Sequence, residues 1–174
     1  MHFGGDYAGH ERKVWYMDGA KWVLGDLMKI RLDHIGIAVN SLDDGEKFWK
    51  LLGLIPEQED EVVTEQGVIT RFIPIADEMQ KPALIELLEP TGEDTPIGKF
   101  IAKRGVGIQQ ICFEVDDILM MIEHLTNSGI VMIDSKPRVG SKNSLVAFVH
   151  PKSTGGVLVE LSQKVLGNND NPSN

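Results

Sequence analysis

A single cysteine, Cys112, rules out an intramolecular disulfide and any cysteine-based zinc cluster, and it fits a reducing compartment. Cations are scarce too. Lys and Arg number 17 against 26 Asp and Glu, for a formal net charge of -9, and no clustered basic face offsets this, which excludes nucleic acid as a partner. Nowhere does an apolar run approach the roughly 20 residues that cross a bilayer. The start, Met1-His2-Phe3-Gly4-Gly5-Asp6, lacks the basic region and apolar stretch of a secretory signal. A cytoplasmic protein without a membrane partner is therefore expected. Aromatic residues make up only 6% of the chain, and of the five Trp and Tyr residues four (Tyr7, Trp15, Tyr16, Trp22) fall within the first 28 positions.

What is present is the balance of a globular protein, 42% hydrophobic and 25% charged residues, and 174 residues suffice for one ordinary domain or two small halves sharing a core. Residues 1–28 show no sustained helical or strand period and read as an extension. The polar end, 167–174, reads as a disordered tail. The expected domain is 29–166.

Within it the chain contains itself twice. One half begins Leu32-Asp33-His34-Ile35-Gly36-Ile37-Ala38-Val39, the other Ile108-Gln109-Gln110-Ile111-Cys112-Phe113-Glu114-Val115. Each strand-like run leads into capping residues (Ser41 with Asp44; Asp116-Asp117) and an apolar-periodic helix that stops at a glycine, Gly53 or Gly129. Further strands follow at about 68–75 and 83–88, and at about 145–149 and 156–161. The order is βαβββ twice, over about 30–90 and 107–164. A short helix over 96–104, with Thr95 as N-cap, Pro96 in its first turn and Gly105 as its stop, joins the halves. The fold class is α+β, paired βαβββ modules forming a curved mixed sheet around a cleft.

Strand parity divides the faces. Ile35, Ile37 and Val39 share one face, as do Ile111, Phe113 and Val115, and these should cover the helices. His34, Gln110, Glu86 and Glu160 fall on the other. His34 and Gln110 are 76 positions apart and Glu86 and Glu160 are 74 apart, so the four form two pairs of repeat equivalents that converge if the sheets curl together. One imidazole, one amide oxygen and two carboxylates suit a hard or borderline divalent ion. Taken singly, each is as well explained as a solvent-facing strand residue; the shared register is what singles out the set.

Several runs resemble the methylmalonyl-CoA epimerases of the vicinal oxygen chelate (glyoxalase) superfamily. They are Leu32 to Val39, Glu65-Gln66-Gly67-Val68, Ile85-Glu86-Leu87-Leu88-Glu89-Pro90, Thr95 to Phe100, Lys136 to Gly140 and His150 to Leu161. The resemblance implies a divalent ion (Co, Zn, Ni or Mn) held by His34, Glu86, Gln110 and Glu160, an acyl-CoA substrate, and a homodimer. It also implies interconversion of (R)- and (S)-methylmalonyl-CoA by proton abstraction at C2 through a metal-stabilised enolate, with Glu160 and Glu86 as the acid/base groups. Three departures stand out. Gln109-Gln110 replaces the usual pair of histidines, Gly140-Ser141-Lys142-Asn143-Ser144 replaces a glycine-rich loop, and Thr70 stands where some epimerases carry a carboxylate. Other activities of the superfamily, a lactoylglutathione lyase or an antibiotic-modifying thiol transferase, keep the same ligands, and a metal-free binding protein keeps the cleft. Lys152, Ser153 and Arg138 offer contacts for phosphate or carboxylate groups. His124 reads as a surface residue, His150 as a turn residue and Cys112 as a small buried hydrophobe.

Overall fold

The computed structural model describes residues 13–18, 21–26, 29–75 and 81–165. The expected tail at 167–174 lies outside them, and so does the start of the extension. Within the extension the structure corrects the sequence reading: β1 (Lys13–Asp18) and β2 (Lys21–Asp26) pair antiparallel as a two-stranded sheet of their own. Six-residue strands are too short to establish a period, but the aromatic and β-branched residues in them favour extended backbone.

The repeat then unfolds as the sequence indicates. The first half comprises β3 (Ile30–Ala38), α1 (Leu42–Gly45), α2 (Lys47–Leu51), β4 (Glu61–Val63), β5 (Val68–Pro74) and β6 (Leu84–Pro90). After the connecting α3 (Pro96–Arg104), the second half comprises β7 (Gly107–Val115), α4 (Ile118–Asn127), β8 (Arg138–Val139), β9 (Ser144–Val149) and β10 (Leu158–Lys164). The caps are formed by the residues that announced them. Ser41 Oγ accepts from Asp44 N–H at 3.4 Å, Thr95 Oγ1 from Gly98 N–H at 3.1 Å and Asp117 Oδ1 from Met120 N–H at 2.9 Å. One difference is local. The first helix is broken after Gly45, where a Cβ would lie 2.8 Å from Val39 Cγ1, so a residue that weakens the helix is what lets it seat on the strand.

Eight strands form one curled mixed sheet in the order β4-β5-β6-β3-β7-β10-β9-β8, which reads the same from either end in repeat terms. Each half closes on a parallel pair, β3 with β6 and β7 with β10, and the halves meet where β3 runs antiparallel to β7. Apolar parity sends Val39, Ile73, Ile85 and Leu87 outward beneath Leu42 and Trp49, and Val115, Ala147, Val149 and Leu161 beneath Ile118, Met121 and Ile122. Burial of such side chains, at roughly 25 cal/mol per Å² of apolar area, holds the helices to the convex side. The connecting helix behaves differently: Ile97, with Phe100 and Ile101 beside it, packs on Ala38, Val68 and Leu88, residues of the concave side, and so closes one end of the cleft. Among the described residues no helix is long and apolar enough to cross a membrane.

Candidate active site

The concave face carries the second parity set. His34 lies in β3, Glu86 in β6, Gln110 in β7 and Glu160 in β10, the four central strands, and all four side chains are buried, with 4%, 4%, 7% and 6% of their surface exposed. The pairs converge. His34 Nε2 is 3.1 Å from Glu86 Oε2 and 3.6 Å from Glu160 Oε2, while Gln110 Nε2 donates to Glu160 Oε2 at 2.5 Å and reaches Glu86 Oε2 at 3.5 Å. Gly36 makes room for this arrangement. It faces Gln110 across the β3·β7 seam, and a Cβ on it would lie 2.7 Å from Gln110 Cγ.

Beside the four donors a cavity of about 190 Å³ opens, with Glu65, Thr70, Gln109, Arg138 and Phe148 in its wall along with Glu86, Gln110 and Glu160. Each central acid has a phenylalanine as its strand partner, Phe72 opposite Glu86 and Phe148 opposite Glu160. Both rings carry a cation from one segment: Lys142 Nζ sits 3.5 Å from the Phe72 centroid and the Arg138 guanidinium 5.2 Å from that of Phe148.

Electrostatics follow from burial and excess acid. Burial pushes the His34 imidazolium toward deprotonation, but the Glu86 charge, the Asp33 hydrogen bond and the contacts with Cys112 and Glu160 outweigh it and raise the pKa well above the ordinary value. Burial likewise raises Glu160, against the opposing pull of His34. Cys112, opposite His34 in the seam, is fully buried, and burial pushes its thiol up to about 12, the behaviour of a packed hydrophobe rather than a nucleophile.

Asp33 is a residue that strand parity places on the wrong face. Its carboxylate Oδ2 lies 3.0 Å from His34 Nδ1. Glu65 lies outside the strands, where parity does not apply: it belongs to the turn before β5, which Gly67 closes in the left-handed region at φ 64°, and it lines the cavity from there. The run Glu65-Gln66-Gly67 was the available signal for it. Of the three residues expected to meet substrate anions, only Arg138 lines the cavity. Lys152 and Ser153 occupy the turn between β9 and β10, outside the lining, where Ser153 Oγ accepts from Val131 N–H at 3.0 Å. His150 Nδ1 accepts from Lys152 N–H in the same turn, and His124 is exposed, so neither joins the four donors.

A group of donors fits a cation only if something is left over for it. His34 Nε2 is buried without a hydrogen-bond partner of good geometry, although it faces two carboxylates. With Nδ1–H donating to Asp33, neutral His34 turns its Nε2 lone pair toward those negative oxygens, an arrangement that calls for a proton or a metal ion between them. The donor set fits a divalent ion.

The chain is similar to known proteins over most of its length. Residues 33–148 match the family model described as Glyoxalase/Bleomycin resistance protein/Dioxygenase superfamily. The mitochondrial methylmalonyl-CoA epimerase of Dictyostelium discoideum is 35% identical over 143 residues, covering 82% of this chain and 83% of that one. An ethylmalonyl-CoA/methylmalonyl-CoA epimerase of Cereibacter sphaeroides is 37% identical over 76% of this chain and 97% of its own length. Among solved structures, a variant of the Streptomyces coelicolor methylmalonyl-CoA epimerase in complex with 2-nitronate-propionyl-CoA superposes with a TM-score of 0.72 at 36% identity, over 78% of this chain and 94% of that one.

Proposed function

Because the chain belongs to the glyoxalase/bleomycin resistance protein/dioxygenase superfamily, and several relatives that match most of its length are methylmalonyl-CoA epimerases, we propose that it epimerises methylmalonyl-CoA in a metal-dependent reaction at C2. The observation that carries the metal dependence is the partnerless Nε2 of His34, facing Glu86, Gln110 and Glu160. These four residues would hold the ion. Gln110 supplies its carbonyl oxygen after a half-turn of the amide, a change that exchanges two atoms of nearly equal size. Cobalt, zinc, nickel and manganese all accept such a set. When bound, the ion supplies Lewis-acid chemistry, offsetting the charge that develops on the thioester oxygen.

The chain's own groups must move one proton off C2 and return one on the other face. Glu160, in the wall of the cavity, is one acid/base group, as the resemblance implies. The sequence reading named Glu86 as the other. Glu86 lies nearer to His34 Nε2 than Glu160 does, 3.1 Å against 3.6 Å, and is the more closely tied to the ion, whereas Glu65 lines the cavity and remains exposed, so Glu65 is the better second group. Arg138, in the same wall, is assigned to the free carboxylate of the acyl group, for which a guanidinium offers two parallel N–H donors. The substrate is an acyl-CoA and the assembly a homodimer, as the resemblance implies.

The test is stepwise loading. Protein stripped of metal and then supplied with each of the four ions should epimerise (S)- or (R)-methylmalonyl-CoA with at least one of them, followed by loss of optical purity. Failure with all four refutes the assignment.

A further inference from the structure

We propose that Asp33 is a positioning residue for the centre: it fixes the His34 ring so that Nε2 points at Glu86, Gln110 and Glu160, while Arg31 and Glu114 hold Asp33 in place. The inference rests on the metal-dependent reading above. In a regular strand the carboxylate of Asp33 would project away from its neighbour's imidazole. Here the β3·β7 pairing shifts register between Leu32 and His34, leaving Asp33 without a partner of its own, and this bulge brings its carboxylate round to the imidazole.

Once there, Asp33 Oδ2 lies 3.0 Å from His34 Nδ1 and Oδ1 lies 2.6 Å from Arg31 Nη2. The same Nη2 reaches Glu114 Oε2 at 2.5 Å across the seam, where Arg31 and Glu114 are strand partners. Glu114 is anchored in turn, its Oε1 accepting from Lys81 Nζ at 3.1 Å. The chain Lys81, Glu114, Arg31, Asp33 alternates in charge, ends on the His34 ring and bridges both halves of the repeat. Its consequence is directional. A neutral imidazole has one N–H, and an anionic acceptor at Nδ1 keeps that hydrogen there and the lone pair on Nε2. Phe72, edge-on to the ring at 5.9 Å, packs beside it.

Cobalt titration of the metal-stripped protein against a chromophoric chelator tests this. Asp33→Ala should weaken cobalt affinity about 10- to 100-fold, the usual cost of losing the group that orients a ligating histidine. Asp33→Asn keeps an oxygen for Nδ1–H and should recover part of that loss. The visible bands of bound cobalt should change in Asp33→Ala, a signature that altered stability alone does not produce. A loss below about tenfold in Asp33→Ala, or Asp33→Asn as weak as Asp33→Ala, overturns the proposal. Should Asp33→Ala lose its cooperative thermal transition, Glu114→Gln decides: reduced affinity with an intact transition supports the chain, and unchanged affinity overturns it. Wild-type protein that takes up no cobalt overturns this inference together with the metal-dependent reading; wild-type binding matched by Asp33→Ala overturns this inference alone.

Discussion

Arg71, on β5, gathers three carboxylates: Asp60 at 2.7 Å through both Nε and Nη2, Glu46 at 2.9 Å and Asp43 at 3.1 Å, with Lys50 closing on Glu46. On the other face of the sheet Glu86, one strand from β5, and Glu160, four strands from it, share one imidazole and one amide. The outer cluster completes itself. Its acids are paired with cations, Glu46 out of water and Asp43 largely in it, so it needs nothing from outside. The inner cluster is buried and short of positive charge. Burying two carboxylates is expensive unless a cation accompanies them, and a fold that retains them has a use for that cation. The contrast separates ionic groups that support a structure from ionic groups that await a ligand.

The sharpest break in that contrast is Glu160→Gln, which keeps an oxygen donor but removes the proton acceptor. Turnover should fall by about 10²- to 10⁴-fold, the scale of general acid–base catalysis, while elemental analysis shows metal largely retained. Next is the choice between the other two acids. Glu65→Gln should cost about 10²-fold in kcat with metal content unchanged, whereas Glu86→Gln should lose metal first; the reverse pattern would return Glu86 to the role the sequence suggested. Gln110→His should tighten zinc or cobalt by about tenfold, since imidazole is the better donor to borderline ions. Unchanged or weaker affinity would put Gln110 outside the coordination shell.

The smallest effect belongs to the outer cluster. Arg71→Met should leave kcat and KM alone and cost about 1–3 kcal/mol of stability, because it takes a partner from Glu46, whose carboxylate is largely out of water. Its pH dependence has a definite sign. The hydrogen bonds from Arg71 hold the Asp60 carboxyl below its ordinary value, so the stabilisation is present above the unfolded pKa of about 3.9 and is lost as pH falls through the folded one. Thermal unfolding of wild type and variant should therefore converge at acid pH.

Much of this was legible in the residues because the repeat made two weak signals confirm one another. Two βαβββ units, their caps and the connecting helix could be read from period and punctuation, and the four donors from parity and spacing. What escaped depends on departures from regularity. Asp33 reaches His34 only through a bulge, which alternation cannot show. Glu65 comes from a turn closed by a left-handed glycine, and Lys142 reaches Phe72 from a loop where Lys142 and Asn143 both have positive φ. Long-range packing decides those conformations. The hairpin of β1 and β2 was missed for a simpler reason: two six-residue strands carry too few alternations to count, though Asp18-Gly19 between aromatic runs was a turn signal.

The most direct test of the inner cluster is hydrogen exchange at C2. Metal-loaded protein, given one epimer of methylmalonyl-CoA in deuterated water, should place deuterium at C2 while the stereocentre racemises, read by mass spectrometry and by a stereospecific mutase. Metal-stripped protein should do neither. Deuterium-free, optically pure substrate after incubation with the fully loaded protein would contradict the account; the hemithioacetal of methylglyoxal would then be the substrate to offer the same four donors.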